Sequence, residues 1–291
     1  MVRFKRDPSG PGSVIDRRGA GGLSGGGGLM KMGVGGGGAV VFALILITLL
    51  SGNSDIGGMV NSLAPADQPV AASPLDPRTD PDADLVAFLE DVLQDSQGMW
   101  QTMFDDSGIP YAPTNLVVFS GSTQSACGGA VAQSGPHYCP VDQLVYIDLD
   151  FLEELQREFG AAGDTAQAYI LAHEIGHHVQ NQLGIISEVN QIQQSDPGQA
   201  NAASVSLELQ ADCFAGVWLS TIRTGTSAAV FDDNDLQEAL NAAQAVGDDA
   251  IQQQTTGRVN PESFTHGTAE QRYNWLKTGF DTGQPEACDT F

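Results

Sequence analysis

Positive charge is what this chain has least of. Its 291 residues carry 12 Lys and Arg against 36 Asp and Glu, a net charge of −24. Six of the basic residues, Arg3, Lys5, Arg6, Arg17, Arg18 and Lys31, stand in the first 31 positions, and the other six are scattered without a cluster. So acidic a surface repels phosphate backbones and anionic headgroups, which excludes nucleic acid as a partner of the main body. Cysteine is scarce too. The four Cys include no Cys-x-x-Cys pair, which argues against a thiolate zinc site. No segment repeats at a fixed period, so a solenoid is excluded. Histidine is rare, with five in the chain, yet three of them are His173, His177 and His178.

That cluster carries the chemistry. His173-Glu174-Ile175-Gly176-His177 reads His-Glu-x-x-His within an apolar run, Ala166 to Leu183, that predicts a helix. Residues four apart lie one turn apart on the same helix face. Two imidazoles so placed can reach one Zn²⁺ at about 2.0–2.1 Å. Glu174 projects from the flank of that face, where it can meet water without being a ligand. This is the arrangement used to hydrolyse peptide bonds. Two His on a helix can also be ordinary surface residues, but the flanks Tyr169-Ile170-Leu171-Ala172 and Ile175 predict burial. Buried His and Glu without partners are costly. His178 lies about 100° further round the helix and reads as a packing or surface residue.

A catalytic zinc site usually takes three protein ligands. The run Leu207 to Trp218 predicts a second amphipathic helix, with Glu208 and Asp212 one turn apart. Two carboxylates on one face repel each other unless a cation or hydrogen-bond donors lie between them. Glu208 can ligate zinc, and Asp212 can accept the far N–H of a ligating imidazole. A solvated acidic face is the plainer alternative, and Leu209, Phe214, Val217 and Trp218 count against it.

His-Glu-x-x-His followed by Glu-x-x-x-Asp resembles the gluzincin metallopeptidases, of which thermolysin is the type. The segments Ala168–Asn181 and Glu208–Gly216 are similar to the bacterial family called "putative neutral zinc metallopeptidases". So are Tyr138-Cys139-Pro140, Tyr146-Ile147-Asp148 and Phe264-Thr265-His266-Gly267. The resemblance covers Asp82 to Phe291. It implies one zinc per chain held by His173, His177 and Glu208, with Glu174 as the base. It also implies that Asp212 orients His173. A late helix opens at Thr268, a candidate N-cap with Gln271 three residues on. His266 just before it can stabilise an oxyanion, with support from Arg272.

The first 31 residues hold six basic and two acidic side chains, and the remaining 260 hold six and 34. Between these regions, Gly33 to Leu50 runs for 18 residues without a charge. At 1.5 Å per residue a helix of that length spans about 27 Å, close to a bilayer core. The expected organisation is a basic, Gly-rich cytoplasmic tail (1–32), a transmembrane helix (33–50), a Pro- and Asp-rich linker (51–81) and a metallopeptidase-like domain (82–291). Basic flanks mark the cytoplasmic side. The expectation is therefore a single-pass cell-membrane protein with its N-terminus inside and its zinc domain outside. A cleaved signal peptide is the rival reading, weakened by the long positive region and the lack of a small-x-small site after Leu50.

Four Cys fit an oxidising, extracytoplasmic place. Cys127 with Cys139 would close a local loop, leaving Cys213 with Cys288. Three pairings are open, and this one is preferred. Helices are expected from Asp82, over Asp150–Phe159, Leu236–Val246 and Thr268–Phe280, and strands at Leu116–Phe119 and Leu144–Ile147. Ile192–Ser204 reads as a polar loop.

The predicted fold is α+β, mainly α. It is a zincin-like domain with a small sheet whose edge can hold an extended peptide. The predicted activity is hydrolysis of a peptide or protein substrate by zinc-activated water. A zinc-stabilised envelope domain that binds a partner is the non-enzymatic alternative, and a zinc amidase acting on cell-wall peptides is the enzymatic one.

Overall fold

The computed structural model describes residues 10–18, 79–131, 135–159, 163–223 and 233–291. Helix α1 (Ala83–Asp106) buries Leu89, Val92, Leu93, Trp100 and Phe104, an apolar stripe at helical spacing. Two strands follow the expected runs: β2 (Asn115–Phe119) and β6 (Leu144–Asp148). They pair in parallel, Leu116 opposite Val145 and Val118 opposite Ile147. Leu116 and Val118 face the helices, while Val117 and Phe119 pack with Cys139 and Tyr146 on the other face. An unbroken apolar run thus serves a strand buried on both sides.

The sheet has the order β1-β2-β6-β5, with β1 at Val14–Asp16 and β5 at His137–Cys139. β5 is its one antiparallel member and lies at an edge. A separate hairpin, β3 (Ser122–Ser125) and β4 (Gly128–Val131), precedes β5. Cys127 at its turn is bridged to Cys139 in β5, and Cys213 is bridged to Cys288, so the preferred pairing is found.

Helix α2 (Leu149–Phe159) leads to α3 (Asp164–Gln182), which carries the His-Glu-x-x-His run. α4 (Ile185–Ser195) follows, then α5 (Ala200–Arg223), α6 (Asp233–Ala245), α7 (Asp248–Thr256) and α8 (Ala269–Thr282). α3 and α8 both pack on α5. α5 and α8 cross at unusually close range. A Cβ on Gly216 would stand 2.0 Å from the Leu276 carbonyl oxygen, and one on Gly279 would stand 1.9 Å from that of Cys213. Only glycine fits at either point.

Three expectations change. Ile192–Ser204 is not a loop: its first part ends α4 and its last part begins α5, with only 196–199 between. The low apolar content misled because α4 buries a single residue, Val189, and is otherwise a solvated helix. Second, α7 was not anticipated; it is short and polar, and its anchoring is tertiary. Third, Val14–Asp16 falls in the expected free tail, yet it forms β1 alongside β2. Among the described residues no helix is long and apolar enough to cross a membrane. The span expected to do so, 33–50, lies outside them, as do the rest of the tail and residues 51–78.

Candidate metal centre

The helical repeat sets His173 and His177 one turn apart on α3, their ring centroids 4.7 Å from each other and their planes at 86°. Glu208 on α5 reaches across to both. Its Oε2 lies 3.1 Å from His173 Nε2 and its Oε1 lies 3.5 Å from His177 Nε2. One donor atom from each residue falls within 4.8 Å of the other two. Donors about 2.0–2.1 Å from a tetrahedral ion stand roughly 3.4 Å from one another. Two imidazole nitrogens and a carboxylate, able to bring one donor atom each within 4.8 Å of the others, are a donor set that suits zinc. The other acidic group among the described residues, Asp164, Asp235 and Glu238, offers oxygen alone.

A buried frame holds the imidazoles. His173 Nδ1 is 2.8 Å from Asp212 Oδ1, on the ring edge away from Glu208. The same oxygen accepts from the Tyr169 hydroxyl at 2.6 Å and from Arg272 Nη2 at 2.9 Å. Arg272 Nε donates to Asp212 Oδ2 at 2.8 Å. Asp212 is 0 % exposed, so its charge survives only because these donors surround it. Burial pushes the Asp212 carboxyl up, but Arg272 and His173 outweigh it and hold its pKa at about 2. Burial likewise opposes a proton on His173, and the Asp212 and Glu208 carboxylates overcome that, raising its pKa to about 10. Glu208 is buried too, yet His177 and His173 hold it well below the usual carboxylate range. The pocket is built to hold positive charge between the carboxylates.

His177 has its own support. Its Nδ1 lies 2.8 Å from Gln180 Oε1, and the Gln180 amide donates to the Leu207 carbonyl at 2.7 Å and to Gln210 Oε1 at 3.0 Å. Gln210 in turn donates to the Cys288 carbonyl, beside the disulfide. Neither glutamine stood out in the sequence, although a Gln three residues after a ligand-type His on a buried helix is a usable signal.

His178 faces away from the cluster. It is buried, with Nε2 donating to the Ala112 carbonyl at 2.7 Å and Nδ1 accepting from the Tyr138 hydroxyl at 3.0 Å. Asn181 also donates to that hydroxyl. These contacts fasten edge strand β5 to α3.

Thr268 caps α8 with a reciprocal capping box to Gln271, as expected. His266, two residues earlier, keeps 40 % of its side chain exposed. Its Nδ1 sits 3.1 Å from Asp248 Oδ1, while Asp248 Oδ2 accepts the backbone N–H groups of Thr265, His266 and Gly267. Burial lowers the His266 pKa, but Asp248 and the nearby Glu208 carboxylate raise it above its ordinary value. Asp248 was missed because it stands 18 residues from His266 and reads in sequence as a helix-start acid.

Arg272 on α8 is buried against Asp212. It is 4 % exposed, and its guanidinium is spent on Asp212, the Tyr169 hydroxyl and the Val246 carbonyl. It braces Asp212 from behind.

The chain is similar in sequence to three bacterial relatives. The Escherichia coli (strain K12) protein called "Uncharacterized protein YpfJ" is 43% identical over 281 residues, which cover 96% of this chain and 95% of that protein. The Mycobacterium tuberculosis (strain H37Rv) "Uncharacterized protein Rv2575" is 47% identical over 189 residues, 62% of this chain and 63% of its own. A Mycobacterium bovis protein, "Uncharacterized protein Mb2605", matches over the same extent. No solved structure matches. The profile of the family described as "Putative neutral zinc metallopeptidase" matches residues 3–291, and the chain belongs to that family.

Proposed function

We propose that this protein is a zinc-dependent peptidase with a zincin-like centre, in which His173, His177 and Glu208 hold the metal. The meeting of these three side chains, with Glu174 next to His173 on α3, carries the reading. Held by these residues, zinc would supply Lewis acidity toward the scissile carbonyl and toward water. The chain's own residues do the rest. Glu174 takes the proton of the attacking water and passes it to the leaving amine. His266, charged and oriented by Asp248, stabilises the oxyanion. Asp212, braced by Tyr169 and Arg272, fixes the His173 ring, and Gln180 fixes that of His177. The outer edge of β5, fastened to α3 through Tyr138, offers main-chain pairing to an extended peptide. A structural zinc site has no use for Glu174, which sets the enzymatic reading above a binding module.

The test is hydrolysis of an unfolded protein by the purified full chain, with and without chelator. One zinc per chain and activity that chelation removes and zinc restores are the expected results. Full zinc retention in both His173→Ala and Glu208→Ala would reject the ligand set. Cleavage of wall peptides but not of proteins would move the reading to an amidase.

A further inference from the structure

We infer that the N-terminal segment Gly10–Arg18 is a clip belonging to the metallopeptidase domain, so that it and residues 79–291 share one side of any membrane. The observation is the edge strand β1. Val14, Ile15 and Asp16 pair in parallel with Leu116, Val117 and Val118 of β2. The pairing is extended at both ends: the Leu116 N–H donates to the Ser13 carbonyl at 3.1 Å, and the Arg17 N–H donates to that of Val118 at 2.8 Å. Val14 packs on the main core and Ile15 on the smaller cluster across the sheet. Without β1, the β2 edge would present unpaired backbone groups beside buried apolar side chains.

Two features show that the seat is built for this segment. At Gly12 the backbone turns through φ +85°, and a Cβ there would lie 2.4 Å from Gln97 Nε2 and 2.5 Å from the Thr114 carbonyl oxygen. Gln97 itself donates to the Pro11 carbonyl at 3.1 Å and accepts from the Thr114 N–H at 2.6 Å. At the other end, Arg18 is 6 % exposed. Its guanidinium pairs with Asp16 at 2.7 Å, Asp80 at 2.6 Å and Asp82 at 2.9 Å. Asp80 and Asp82 stand immediately before α1, so Arg18 ties the end of the clip to the start of the domain. Removing Arg18 would leave the buried Asp80 carboxylate unpaired, which is costly. The family profile also begins at residue 3, taking in the segment along with the domain.

A strand hydrogen-bonded into a sheet cannot lie across a hydrocarbon core about 30 Å thick from that sheet. A single crossing by residues 33–50, with the tail inside and the domain outside, is therefore incompatible with the closed clip. The basic residues Arg17 and Arg18, which suggest a cytoplasmic flank in the sequence, are spent on the domain. Arg17 donates to the Gln124 carbonyl and lies over the Tyr146 ring, and Arg18 pairs with Asp16, Asp80 and Asp82.

The experiment uses the full chain in its host membrane. All four native cysteines are in disulfides, so a single introduced thiol is read without background. Ser13→Cys and Ser195→Cys, on exposed positions of the clip and of α4, are labelled in sealed vesicles with a membrane-impermeant thiol reagent, then in detergent. The expected result is the same sidedness for both. Ser13→Cys with Asn115→Cys, whose native side-chain oxygens are 3.1 Å apart, should form an intramolecular disulfide that Gly12→Val reduces several-fold. Labelling of one position only after the vesicles are opened, while the other reacts from outside, overturns the inference. So does a mature protein that lacks residues 10–18, or same-side labelling with no crosslink.

Discussion

Asp212 meets His173 from behind: its Oδ1 lies 2.8 Å from Nδ1, while Glu208 Oε2 lies 3.1 Å from Nε2 of the same ring. One imidazole thus bridges two carboxylates that stand one turn apart on α5. The pair on α5 matches the pair on α3, and neither makes sense alone. Glu208 presents an oxygen where a cation would sit, and Asp212 fixes the ring that must face it.

Asp212→Asn should weaken zinc binding by about 10–100-fold, the range typical of groups that orient a ligand. The amide keeps the shape but loses the charge that Arg272 and His173 require. Glu208→Gln should cost more, since it takes the negative charge from a proposed direct ligand. A zinc titration with a competing chelator compares the two. Equal losses, or a loss at Asp212 alone, would mean that the two carboxylates have exchanged roles.

Glu174→Gln should keep one zinc per chain and lose hydrolysis. The amide cannot take a proton, and general base catalysis contributes on the order of 10²–10⁴-fold. Metal analysis beside turnover on an unfolded protein gives both readouts. Undiminished turnover would place the base elsewhere.

The crossing of α5 and α8 makes a prediction about stability. Gly279→Ala drives a methyl into the Cys213 carbonyl oxygen, 1.9 Å from the ideal Cβ position. Overpacking of this kind costs about 1–3 kcal/mol. Because Cys213 follows Asp212, the shift should also loosen zinc. Thermal melts of the zinc-loaded and chelated protein measure both effects. An unchanged melting temperature would show that the helices separate without penalty.

What the sequence disclosed follows the range of each signal. His173, His177, Glu208 and Asp212 could be read together because each pair is spaced by one helical turn, and periodicity is a local property. The disulfides could be ranked because Cys127 and Cys139 are close in sequence. Thr268 announced its helix through a capping box of four residues. The signals that failed are long-range. Asp248 acts on His266 only because α7 is folded against the turn before α8. Gln180 looks like any polar helix residue until Leu207 and Gln210 are beside it. β1 has three residues and pairs with residues 102 positions away, in a stretch whose composition resembles a free tail. Composition measures what a segment could do alone, and β1 does nothing alone.

Asp248→Asn tests the proposed work of His266. Burial opposes a charge on His266, and the Asp248 and Glu208 carboxylates raise its pKa above the ordinary value. If His266 stabilises the oxyanion as a cation, kcat/KM falls as pH rises through that raised pKa. Removing the Asp248 charge lets the pKa drop, so the alkaline limb should move to lower pH. The amide still offers an oxygen to the backbone N–H groups of Thr265, His266 and Gly267, so the turn is largely preserved. Stability follows the same sign. A histidine whose folded pKa exceeds its unfolded value contributes stability that is complete below the unfolded pKa, about 6.5. That contribution is lost as pH rises through the folded pKa. The wild type should therefore lead Asp248→Asn in melting temperature most at acidic pH, and the gap should narrow toward alkaline pH. A pH–rate profile of both proteins, with melts across the same range, reads both effects. His266→Ala should lose the limb altogether. An alkaline limb that stays in place in Asp248→Asn would show that His266 does not carry it.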